Sequence, residues 1–170
     1  MTQPTKAQWE EVKEKLSLPY GSACLRCDNY LILAEVRQSK MKLVIQIYVN
    51  GWIRGEWWWH GKESNIGQMP EIARRFYCVK RKSPSAKTKA VDIKIFGKKY
   101  CRDKRLHEPF LSVLPWFNSP GSFIAHLKKH NPTIEVLDSE TYKLALRALP
   151  EDQDEKSAKP AEAVIGEEHA

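Results

Sequence analysis

Residues 41–49 constrain this chain most. Met41, Leu43, Ile45, Ile47 and Val49 alternate strictly with Lys42, Val44, Gln46 and Tyr48. A period of two places the five apolar side chains on one face of a β-strand. Asn50-Gly51 follows at once, the pair that supplies the two positive-φ positions of a type I′ hairpin turn. Residues 52–59, Trp-Ile-Arg-Gly-Glu-Trp-Trp-Trp, then read as the returning strand. A two-residue loop sets Val49 opposite Trp52, Ile47 opposite Arg54 and Ile45 opposite Glu56, so two charges fall on the apolar face. A bulge at Gly55 would turn Glu56 and Trp58 to the other face and bring Trp57 and Trp59 over Leu43 and Ile45. Arg54 stays on the apolar side, near the sheet rim or reaching for a partner.

The rest of the pattern is α+β. Residues 5–16 read as a helix with Thr5 and Gln8 as a capping box and Trp9, Val12 and Leu16 on one face. Glu11 and Lys15 add an i,i+4 pair. Leu18-Pro19-Tyr20-Gly21 turns the chain. Strands are expected over 23–27 and 30–37. Pro70 opens a short helix to about Val79, with Ile72, Ala73 and Phe76 inward and Arg74 and Arg75 outward. Residues 80–89 are poor in apolar groups and read as mobile. Residues 91–95 suit a strand by alternation, but the Lys-rich flanks and Gly97 favour a helix ending there. Phe110 to Leu114 reads as an edge strand stopped by Pro115. Ser119-Pro120 starts a helix carrying Phe123, Ile124 and Leu127 inward, and Asn131-Pro132 stops it. A short strand over 133–137 precedes a last helix capped by Asp138 or Ser139, with Tyr142, Ala145, Leu146 and Leu149 on one stripe. The expected architecture is one compact α+β domain over residues 1–150. An antiparallel sheet of three to five strands is built around the 41–59 hairpin and packed by N-terminal and C-terminal helices. Residues 151–170 read as an acidic disordered tail.

Charge is distributed unevenly. The 170 residues hold 28 Lys and Arg against 21 Asp and Glu, a net charge of +7. Residues 151–170 carry seven acids and two lysines, so the body is more basic than the whole. Residues 72–106 carry thirteen basic residues against only Asp92 and Asp103. Such a concentration attracts polyanions, nucleic acid first among them, although a run of charge also serves simply to keep a surface solvated. The candidate binding residues lie over about 74–105: Arg74, Arg75, Lys80, Arg81, Lys82, Lys87, Lys89, Lys94, Lys98, Lys99, Arg102, Lys104 and Arg105. Arg54 and Trp58 join them. Trp52, Trp57, Trp58 and Trp59 crowd one strand whose side chains alternate faces. Either helices cover both faces, which we favour, or at least one indole is exposed to stack on bases or anchor a protein.

Catalytic and metal chemistry is sparse. Cys24-Leu-Arg-Cys27 has the C-x-x-C form, but Cys78 and Cys101 make no second pair, and on a strand Cys24 and Cys27 point to opposite faces. Buried thiols are the simpler reading. His126 and His130 are i,i+4 on one helix, yet no Glu follows His126, and both fall on its polar side. There is no P-loop, dinucleotide glycine fingerprint or G-x-S-x-G elbow, and no Asp…Glu-x-Lys core of a metal nuclease. The chain reads as non-enzymatic, with no cofactor. No apolar run reaches the ~18 residues of a membrane-spanning helix, and the first six residues lack a secretory pattern.

Leu25-Arg26-Cys27-Asp28-Asn29-Tyr30, Tyr48-Val49-Asn50-Gly51-Trp52-Ile53-Arg54-Gly55 and Glu71-Ile72-Ala73-Arg74-Arg75-Phe76-Tyr77, with 95–99 and 119–129, resemble small proteins encoded by tailed phages and prophages. The resemblance spans about residues 10–137 and brings no catalytic motif. It implies a bacterial host cytoplasm and an accessory role exercised by binding. The expected partner is DNA, RNA or a nucleoprotein. The alternative is a protein inhibitor of a host defence complex, of anti-CRISPR or anti-restriction type, and the remoter one a metal-dependent nuclease.

Overall fold

The computed structural model describes residues 3–150. The acidic tail expected over 151–170 lies outside the described residues. The chain runs α1 (Lys6–Lys15), β1 (Ser22–Cys27), β2 (Tyr30–Ser39), β3 (Lys42–Val49), β4 (His60–Lys62), α2 (Glu71–Phe76), β5 (Cys78–Lys82), α3 (Ala86–Phe96), α4 (Lys98–Asp103), β6 (Phe110–Leu114), β7 (Trp116–Phe117), α5 (Pro120–His130), β8 (Ile134–Leu137) and α6 (Ser139–Arg147). This is an α+β fold with two antiparallel sheets. The first has the order β7-β3-β2-β1-β8, the second β4-β6-β5.

Local signals fix the helix ends. Thr5 caps α1 by accepting from the Gln8 N–H, and the Gln8 side chain accepts from the Thr5 N–H at 2.9 Å. Ser119 and Asp138 cap α5 and α6 by accepting from the N–H groups of Ser122 and Thr141. Each cap satisfies a donor that the helix itself leaves unpaired.

In the first sheet, register assigns the faces. Leu25 opposes Ile32, Ile32 opposes Val49, and Ala34 opposes Ile47. These side chains share one face and are buried with Trp9 and Val12 of α1 and Phe123 and Leu127 of α5. The same cluster takes in Tyr77, Leu111 and Val113, so one apolar core joins the two sheets. The opposite face carries Cys24, Leu31 and Leu137 beneath Tyr142 of α6. Cys24 and Cys27 therefore lie in different clusters on opposite faces of β1, as strand alternation requires.

The 41–59 hairpin does not form. Asn50 and Gly51 do take positive φ, 51° and 83°, and Val49 bridges Trp52. There the pairing ends. Residues Gly55–Trp57 coil into a 3-10 turn, no bulge forms, and His60–Lys62 joins the other sheet. The reason is the conflict already visible in the register: a continued hairpin would bury Arg54 and Glu56 against Ile47 and Ile45. Instead Arg54 reaches Glu56 at 3.6 Å, and Phe117 and Trp116 pair with Ile45 and Gln46. Asn50 keeps its turn by bonding both backbone groups of Leu31, at 2.7 and 2.9 Å. The apolar stripe of β3 is covered only in its second half, and Met41 is 95% exposed.

Other expectations change with this. Phe110–Leu114 is the central strand of the second sheet, not an edge, because β4 and β5 flank it. Residues 80–89, read as mobile, form the end of β5 and the first turn of α3, which Ser85 caps. The helix ending at Gly97 is present, with Gly97 at φ 84°. Arg75 points inward rather than outward.

Candidate nucleic-acid interface

The second sheet is built from three short segments far apart in sequence. His60 opposes Ser112 and Lys62 opposes Phe110 on one side, and Lys80 opposes Ser112 and Lys82 opposes Phe110 on the other. Directly opposite residues share a face. The Val113 N–H donates to the Trp59 carbonyl at 3.1 Å, which extends the β4–β6 pairing by one residue and leaves Trp58 at its entry. One face is thus Gly61, Leu111, Val113 and Val79, turned to the core, with Arg81 exposed at its edge. Trp59 folds over Gly61 there, where a Cβ would sit 2.6 Å from the indole, so only glycine allows the contact.

The other face carries two full rows, His60, Ser112 and Lys80, then Lys62, Phe110 and Lys82, with the Cys78–Leu114 pair and Trp58 at one end, where Cys78 packs against the core. Trp58 is 51% exposed and Phe110 42%. The His60 and Phe110 rings lie nearly parallel, 10° apart, with centroids at 6.3 Å. Phe110 is flanked on either side by a lysine, and none of the nine residues is acidic. Ser112 at the centre is buried, so the accessible surface here belongs to the rings and lysines around it. Beside this face, Lys62 Nζ donates to the Lys104 carbonyl at 3.1 Å, linking β4 to the end of α4.

The expected binding residues divide into three groups. Trp58, Lys80 and Lys82 meet on the open face. Lys87, Lys89 and Lys94 belong to α3, Lys98, Lys99 and Arg102 to α4, and Lys104 and Arg105 to the segment after it. Lys98, Lys99, Arg102 and Arg105 border a groove of about 900 Å³ with Ile93 and His107. His107 Nε2 lies 3.3 Å from Asp92 Oδ2, tying this segment to α3. The third group serves the fold or pairs internally. Arg81 projects to the opposite side from Lys80 and meets Glu63 at 2.8 Å. Arg54 pairs with Glu56 and lies 5.7 Å over the Trp57 ring. Arg75 is engaged in the interior, whereas Arg74 beside it is exposed. Of the four indoles, Trp52 and Trp58 are exposed, while Trp57 and Trp59 pack on the core. His60, Lys62 and Phe110 were not among the expected residues. Their signal is the register between segments fifty residues apart, which no local pattern carries.

His126 departs from the solvated place expected for it. It packs between Phe117, 5.3 Å away, and His130, 4.5 Å away. Burial, then the neighbouring His130, push its pKa down to about 4, partly offset by the backbone of Arg74 and Arg75. The unfolded histidine titrates near 6.5. From pH 6.5 down to 4 the unfolded chain therefore takes up a proton that the folded chain refuses, and stability falls with pH. His126 is partly solvated, so the loss at pH 4.5 is about 2 kcal/mol. Urea unfolding at pH 7 and 4.5 is expected to show that loss, and H126Q to be less pH-dependent by that amount. An equal loss in both proteins would contradict this role.

Metal chemistry finds no support among the described residues, where no three His, Cys, Asp or Glu groups converge. The Cys27 thiol is pushed up to about 12, chiefly by burial, which makes it a poor ligand or nucleophile. No helix among the described residues is long and apolar enough to cross a membrane. No family model, curated protein or solved structure matches the chain.

Proposed function

We propose that this chain is an accessory protein of a tailed phage or prophage that binds nucleic acid and carries out no chemical step. The observation that supports this is the acid-free outer face of the β4-β6-β5 sheet, where exposed Trp58, His60 and Phe110 stand among Lys62, Lys80 and Lys82. Lysines hold phosphates and aromatic rings offer stacking surfaces, so the face has both parts of a nucleic-acid contact. The basic groups of α3 and α4 extend the positive field beyond it.

Titration against labelled DNA and RNA across a salt series tests the reading. Contact with about five phosphates gives a slope of about −3.5 in log affinity against log salt on a single strand. Lack of binding at low salt would contradict it, and strand loss on incubation with Mg²⁺ would replace it with a nuclease.

A second reading has one observation in its favour. Helix α3 has no buried residue, and Val91, Ile95 and Phe96 are exposed on it. An apolar strip of this kind suits a protein partner, such as a host defence complex. Recovery of one defined host protein with the chain after nuclease treatment is the result expected from that reading.

A further inference from the structure

We infer that the outer face of the β4-β6-β5 sheet is a stacking platform for unpaired bases, so that the ligand class is single-stranded nucleic acid rather than duplex. This rests on the nucleic-acid reading and narrows it. Same-face residues along a strand are ~6.8 Å apart, twice the ~3.4 Å between stacked bases of a duplex. Rings set on that spacing can meet successive bases only if those bases have left their own stack. Trp58 lies two residues before His60, at the entry to β4, and His60 stands one strand and one row from Phe110. The face therefore offers two stacking positions, Trp58 and the His60–Phe110 pair. Ser112 between the rings is buried, so the rings and lysines form the accessible surface, and the face is made of sheet strands, with no helix among them to enter a major groove.

Charge places the backbone. Lys62 and Lys82 flank Phe110 on its two neighbouring strands, and Lys80 stands beside Ser112. A strand whose bases lie on the rings has its phosphates within reach of ammonium groups on both sides of the platform. The exposed faces of indole and phenyl accept any base, so the preference is for single-strandedness and not for sequence.

The test compares a labelled oligothymidine of about twelve nucleotides with a duplex of equal length, on the full chain at one salt concentration. The single strand is expected to bind at least about tenfold more tightly. W58A/F110A is expected to weaken single-strand binding about tenfold or more and to leave duplex binding within about twofold. W58F/F110Y, which keeps both rings, should retain wild-type affinity. Far-UV circular dichroism and urea midpoints of the variants exclude misfolding as the cause. If duplex and single strand bind equally and the ring deletions change nothing, this inference fails while the broader reading stands. If neither probe binds at low salt, both fail together.

Discussion

Replacing Arg75 by methionine is expected to remove about 3 kcal/mol of folding stability, the largest single effect that we anticipate. Its guanidinium joins three elements. Nη2 donates to the Asp28 carboxylate in the β1–β2 turn and to Asn131 Oδ1 at 2.8 Å, and Nε donates to the same oxygen at 3.1 Å. Asn131 is the C-terminal cap of α5 and is buried. The guanidinium also lies 5.3 Å over Tyr30 and 5.2 Å over Phe76. The Arg75 side chain is only 15% exposed. Methionine keeps the packing volume but leaves the Asp28 carboxylate facing an acceptor oxygen. Lysine cannot reproduce the planar fork, so R75K should recover only part of the loss. R74M, on the exposed neighbour, should stay within about 0.5 kcal/mol of wild type. Urea midpoints of the three variants decide the matter, and R75M at the wild-type midpoint would contradict this account of the junction.

The second large effect concerns binding. Reversing two charges on the open sheet face, K80E/K82E, is expected to weaken single-strand binding about a hundredfold at low salt. It should also make the salt slope shallower by about 1.4, the value for two lost phosphate contacts on a single strand. The reversal K40E/K42E, at the exposed β2–β3 turn of the other sheet, changes the net charge equally and should cost no more than about threefold. Equal losses from both pairs would mean that the overall field, and not this face, holds the ligand.

The helix starts were readable because their signals are local. Thr5 with Gln8, Ser119-Pro120 and Asp138 each state a helix start within four residues, and the structure places a cap at each. The opposite faces of Cys24 and Cys27 followed from strand alternation alone. The hairpin after Asn50-Gly51 was not readable in the same way. The turn residues promised it, while Arg54 and Glu56 forbade it, and the burial cost of two charges outweighed the turn preference. The place beside β3 went to Trp116 and Phe117, which no pattern near residue 50 could reveal.

The site divides along the same line. Trp58, Lys80 and Lys82 were visible one by one as an indole and a run of charge. Their meeting with His60, Lys62 and Phe110 depends on the β4–β6–β5 register, a pairing across about thirty to fifty residues. Phe110 was masked further because its strand looked like an edge, whereas both its neighbours supply lysines to the same face. The thirteen basic residues of 72–106 were readable as a sum but not as a surface. Arg75 turned inward, Arg81 turned to Glu63, and the rest spread over α2, β5, α3, α4 and the segment after α4.

Photocrosslinking locates the ligand on the protein directly. A single strand carrying bromouracil is irradiated with the full chain, and the adducts are mapped by peptide mass spectrometry. Adducts at Trp58, His60 or Phe110 are the predicted result, lost in W58A/F110A. Adducts confined to the α3–α4 segment, with none on the β4-β6-β5 face, would contradict the account.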